Sequence, residues 1–174
     1  MREQLWPEGN REMWRGVEEK GWFAAPRYLP AILAMLDDKE LRDDQDLSRV
    51  YIDLWTRTYQ EGIVEVTAER EHALACGFPN RVRSWRDRVR KLEQLGFVKV
   101  FACGASDFAF IGMVHPFIAV QRLRRGGKLK NERLWNLFIK AIADAGASKP
   151  VLPEDAVVLS FEETKAKKKT KKTA

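Results

Sequence analysis

Arg90-Lys91-Leu92-Glu93-Gln94-Leu95-Gly96-Phe97-Val98-Lys99-Val100 changes its period in the middle. Up to Leu95 the apolar residues Val82, Trp85, Val89, Leu92 and Leu95 stand three or four apart, the spacing of one helix face. Gly96 is the residue type that ends a helix in the left-handed conformation. From Phe97 onward β-branched and aromatic residues take over. The run therefore predicts a helix from about Asn80 to Leu95, followed by a strand from Phe97 to Ala102. Cys103-Gly104-Ala105-Ser106-Asp107 reads as a turn and Phe108 to Val114 as a second strand, so the pair makes a hairpin.

Working upstream, Gly77-Phe78-Pro79-Asn80 breaks the chain before that helix. A preceding helix carries Ala68, His72, Ala73, Ala75 and Cys76, with Thr67 placed to cap it and Arg70 where a capping box would want Glu. Ile63 to Val66 is long enough only for a strand. Leu47 to Gln60 puts Val50, Tyr51, Leu54, Trp55 and Tyr59 on one helical face and stops at Gly62. The order is helix, short strand, helix, tight turn, helix, hairpin. With the Leu92-Glu93-Gln94-Leu95-Gly96-Phe97-Val98 run, residues 47–114 resemble the winged helix-turn-helix family, whose recognition helix typically ends in Leu-x-x-Leu-Gly-(Phe/Leu/Ile)-(Ile/Val). The resemblance implies a mainly α fold with a small β-hairpin, flanked here by extra N- and C-terminal helices. It also implies double-stranded DNA binding, commonly as a homodimer, by a bacterial plasmid- or phage-type regulator of transcription or replication. Some members of that family bind RNA or protein instead.

The third helix supports that expectation independently. Opposite its apolar face stand Asn80, Arg83, Ser84, Asp87, Arg90 and Lys91, flanked by Arg81, Arg86 and Arg88. A helix fits the major groove with its N-terminal side chains at base edges. Arg83 has the planar fork that reads guanine, and Asn80 the amide that reads adenine. Arg81, Arg86, Arg88, Arg90 and Lys91 suit phosphates, as does Lys99 from the following strand. The hairpin tip departs from the simplest pattern: residues 102–110 contain no Lys or Arg, and Asp107 sits there. Phosphate contact then falls to a second basic block, Arg122, Arg124, Arg125 and Lys128, or to tail residues such as Lys167, Lys168 and Lys169.

Charge is segregated along the 174 residues. Six of the 31 lysines and arginines lie in 165–174 and none of the 25 acids does, so residues 1–164 balance at zero and the net +6 belongs to the tail. A neutral body with basic blocks at 80–91 and 122–130 points to a directed anionic partner. The Lys/Thr/Ala tail from residue 164 has a disordered composition.

At the other end, residues 1–24 read as a polar arm bearing Trp6, Trp14 and Trp22, with a short helix near 10–19 and tryptophans that suit a protein-partner surface. A helix from Pro30 to about Lys39 buries Ile32, Leu33 and Leu36; residues 37–46 form an acidic connector. Downstream, His115-Pro116 opens a helix to Arg125, and residues 131–145 form another whose Leu134, Trp135, Leu137, Phe138 and Ile142 serve either the core or a dimer interface. The domain is thus expected over 25–146, with an extension over 147–163.

No segment approaches a membrane-spanning length of apolar residues, and residues 1–6 lack the apolar region of a secretory signal. Two cysteines make no disulfide framework, which suits a reducing cytoplasm. His72-x₃-Cys76 is an isolated pair without the usual Cys-x₂₋₄-Cys partner, so no metal or other cofactor is expected, and Cys76 and His72 read as a core residue and a helix-face residue. Neither a phosphate-cradling Gly-x-x-x-x-Gly-Lys loop nor a nucleophile elbow is present, so no enzyme is expected. The alternatives are a winged-helix protein-interaction module, favoured by the cation-free hairpin, and a plasmid replication initiator.

Overall fold

Trp85 has no exposed surface and packs against His72 and Phe108. The computed structural model describes residues 25–43, 45–58 and 62–147. These form seven helices and one three-stranded antiparallel sheet. The Trp-bearing arm, the 10–19 helix, Tyr59, Val157 to Leu159 and the lysine tail lie outside the described residues.

Helix α1, Leu29–Leu36, has proline in its first turn and buries Leu29, Ala31, Ile32, Met35 and Leu36. It stops before Lys39, the expected end, because Asp38 caps a new turn, its Oδ1 accepting the Glu40 N–H at 3.0 Å. That turn is α2, Lys39–Arg42, so the acidic stretch is not merely a connector; Leu41 anchors it in the core. Helix α3, Leu47–Arg57, buries Val50, Tyr51 and Leu54 as its spacing requires.

The hairpin consists of β2, Val98–Cys103, and β3, Ser106–Met113. Its turn is tighter than Cys103–Asp107, since Cys103 already pairs with Ser106 across Gly104 and Ala105. β1, Ile63–Glu65, is the third strand of the sheet, pairing antiparallel with β3 (Val64 opposite Ile111) and placing β3 in the middle. The register shifts between Phe101 and Cys103, so Phe108 and Ile111 are buried three apart instead of two. Phe108 thereby enters the core while Phe110 stays exposed.

Between β1 and the hairpin lie α4, Glu69–Ala75, and α5, Val82–Gln94. Ala68, not Thr67, occupies the N-cap of α4; its carbonyl accepts from Glu71 (3.0 Å), and acidic Glu69 and Glu71 in the first turn complement the helix dipole. α5 ends as the Leu-Gly-Phe run predicts. Gly96 has φ +82°, its N–H reaches the Glu93 carbonyl at 2.9 Å, and Phe97 N–H reaches Leu92 at 3.0 Å. The same closure at Gly77 and Phe78 ends α4 and sets up the tight turn into α5. On the far side of α5, the Glu93 carboxylate accepts the Val100 N–H at 2.8 Å and ties β2 to the helix.

Helices α6, Pro116–Arg125, and α7, Glu132–Asp144, close the core. His115 caps α6 through Nδ1, and Asn131 caps α7 while donating to Asp38 at 3.0 Å. Of the two roles open to the helix at 131–145, core packing is realised: Phe138 is fully buried against Tyr28 and Phe117. The arrangement is compatible with a winged-helix fold. Among the described residues no helix is long and apolar enough to cross a membrane.

Replacing Trp85 by Ala removes the largest fully buried side chain among the described residues. We expect a loss of about 3–5 kcal/mol in unfolding free energy, measured by urea titration.

Candidate nucleic-acid interface

α5 is pinned from below by Trp85, Val89 and Leu92, which leaves Arg81, Arg83, Arg86, Asp87 and Arg90 exposed above. Arg81 is the N-cap residue and Arg83 lies in the first turn, where there is no acidic residue. Cations at a helix start oppose the macrodipole, at about 0.3–1 kcal/mol each. Neither arginine meets a carboxylate among the described residues.

The other predicted phosphate contacts are engaged within the chain. Arg86 donates twice to Glu69, from Nε to Oε2 and from Nη2 to Oε1 (3.0 Å), and stands 5.6 Å from the Phe108 ring centroid. Arg90 pairs with Glu93 at 3.0 Å and lies 4.5 Å from the same ring. Lys91 is paired with Asp43. Arg88 is half-buried, 4.3 Å from the Phe78 ring centroid, and donates to the Ser84 carbonyl at 2.8 Å. Ser84 itself is only partly exposed.

Asn80 lies in the turn, two residues before α5 begins at Val82. Its φ of +60° explains the residue type, since Asn tolerates the left-handed region. Its side-chain oxygen accepts Arg70 Nη2 at 3.0 Å, so Arg70, which the sequence places only at a capping-box position, joins this surface. Lys99 stands apart with Phe101, its ammonium 5.8 Å from that ring centroid.

The second basic block is brought next to α5. Lys128 and Lys130 line one cleft, about 560 Å³, with Lys91 and Gln94 of α5 and with Glu40. Arg124 belongs to the loop structure instead: it donates to the Leu129 carbonyl (3.1 Å) and to Glu132, and faces Trp135. Arg122 and Arg125 are exposed and also interact within the chain.

Below the interface lies a polar cluster that the sequence reading missed. His72, expected on a helix face, is only 3% exposed. Its Nδ1 is 2.7 Å from Asp53 Oδ2, and Asp53 Oδ1 accepts Arg57 Nε at 2.9 Å. The imidazole stacks on Trp85 at 5.3 Å. The available signal was the spacing of Val50, Asp53, Leu54 and Arg57, which puts an acid on the buried face of α3. Cys76 is the core residue expected; burial, reinforced by the Asp53 charge, pushes its thiol up to about 12. Among the described residues no group of three or more His, Cys, Asp or Glu is placed to hold a metal.

Comparison with protein-family models, with curated proteins and with solved structures finds no match to this chain.

Asp53→Ala leaves a buried imidazole and the Arg57 guanidinium without their acceptor. The expected cost is about 1–3 kcal/mol in urea unfolding, with Asp53→Asn recovering part of it.

Proposed function

We propose that the chain is a winged helix-turn-helix protein that binds duplex DNA at a specific site and regulates transcription or replication there, in the cytoplasm. The observation that carries this reading is the start of α5, where Arg81 and Arg83 are exposed, oppose the helix dipole and, among the described residues, meet no carboxylate. The positive end of the helix and both guanidinium groups then attract the same polyanion.

In this reading α5 enters the major groove. Arg83 takes guanine O6 and N7, and Arg81 the adjacent phosphate. Asn80 acts through Arg70, because its carbonyl oxygen is already an acceptor and a bidentate contact to adenine needs both ends of the amide. Arg86 and Arg90 reach phosphates by exchanging Glu69 and Glu93 for them, a small cost for exposed pairs. Lys128 and Lys130 supply backbone contacts that the cation-free hairpin tip does not. A homodimer would match a palindromic site. The cation-free tip favours a second reading, a protein-interaction module on the same scaffold, and duplex binding separates the two.

The test is a mobility shift at several salt concentrations, with duplexes selected from a random pool and with random DNA. We expect Arg83→Ala to cost about 1–3 kcal/mol on selected sites and far less on random DNA. Equal loss on both removes the base-reading role, and no duplex binding at low salt removes the reading itself.

Deleting residues 165–174 is expected to weaken all DNA alike. With ~6–8 phosphates neutralised, log K against log salt should have a slope of about −5 to −7, and the deletion should flatten it.

A further inference from the structure

The outer face of the sheet carries a second site, independent of the DNA reading. Ile63 of β1, Phe101 of β2 and Phe110 of β3 are 45%, 44% and 36% exposed, unusual for large apolar side chains brought together. Phe101 and Phe110 are directly opposite in the sheet register. They floor a concavity of about 960 Å³ whose other walls include Ala68 and Glu71 of the α4 start, with Glu65 beside Phe110 in the β1–β3 register. That volume lies within the range of small-molecule pockets, which combine apolar walls with a few convergent charged groups.

The charge decides what fits. Glu65 and Glu71 are exposed and meet no cation among the described residues. Arg57 also borders the space, but its guanidinium is held by Asp53 at 2.9 Å. Glu65 and Glu71, unpaired among the described residues, outweigh the single ammonium of Lys99 at the edge of the space, so together they disfavour a phosphodiester and attract a cation. Phenylalanine faces attract cations too, and the Lys99 ammonium already uses the Phe101 ring in this way. We infer that this concavity binds a small organic cation with an apolar body, its hydrocarbon surface on Phe101, Phe110 and Ile63 and its charge toward Glu65 and Glu71. His72, almost fully buried, borders the space and stacks on Trp85.

The full chain is titrated calorimetrically with tetraphenylphosphonium and, separately, with neutral triphenylphosphine oxide, which has a similar apolar body. We expect saturable binding of one phosphonium per chain, with the oxide weaker by about tenfold or more. The Glu65→Gln/Glu71→Gln double variant, whose fold is checked by circular dichroism and is expected intact because both positions are exposed, should lose about tenfold for the phosphonium and nothing for the oxide. Phe101→Leu should weaken both ligands. No saturable binding up to roughly 1 mM, equal affinity for the two compounds, or an unchanged double variant overturns the inference.

Discussion

Trp85 touches three layers at once. Its indole stacks on His72 of α4, tilts against Phe108 of β3 at 5.8 Å, and belongs to the helix that carries the exposed arginines. His72 is in turn fixed by Asp53 of α3. One side chain thus sets how α3, α4, α5 and the hairpin sit together. Among the described residues the indole N–H meets no acceptor. An orphaned buried donor costs about 1–3 kcal/mol, whereas burying an indole is worth roughly 4–6 kcal/mol of transfer free energy. The apolar term wins, and the helix is held at the orientation that keeps Arg81 and Arg83 outside.

The surface of α5 is less positive than its composition suggests. Glu69, Glu93 and Asp43 come from three parts of the chain and meet Arg86, Arg90 and Lys91. Exposed pairs of this kind contribute little to stability. Their larger effect is to hold long side chains in place and to concentrate the uncompensated charge at the N-terminal end of the helix. The sheet's outer face instead gathers Glu65 and Glu71 with the exposed rings of Phe101 and Phe110, and Lys99 and Arg57 stand at its border. Two faces of one small body therefore offer different chemistry.

Much of this was legible in local sequence. The 3- and 4-residue spacing through Leu95, the glycine after it and the aromatic run beyond fixed α5, its closure and β2, because capping and periodicity act over a few residues. The helix at 131–145 was too apolar for a peripheral element, and Phe138 does fill the core. What could not be read depends on partners distant in the chain. Glu69 meets Arg86 and Asp43 meets Lys91 only after folding, and no spacing rule announces them. β1 looked like an isolated short strand because its partner, β3, lies more than forty residues on. The burial of Asp53 and His72 was hidden for the same reason: each is acceptable to the core only because the other is there. Phe108 and Phe110 follow the same period, and only the register shift sends one inward.

The open flank of β2 adds a liability that the fold already counters. A six-residue strand with exposed Phe101, Ala102 and Cys103 is a template onto which another unfolded chain can add, and such growth ends in fibrils or amorphous precipitate. Lys99 supplies the charge that discourages stacking there. The Glu93 carboxylate does more, because by taking the Val100 N–H it occupies a donor that an incoming strand would need. A helix side chain thus occupies part of the strand edge, and the same bond that seats the hairpin leaves an incoming strand one donor fewer to pair with once the protein has folded.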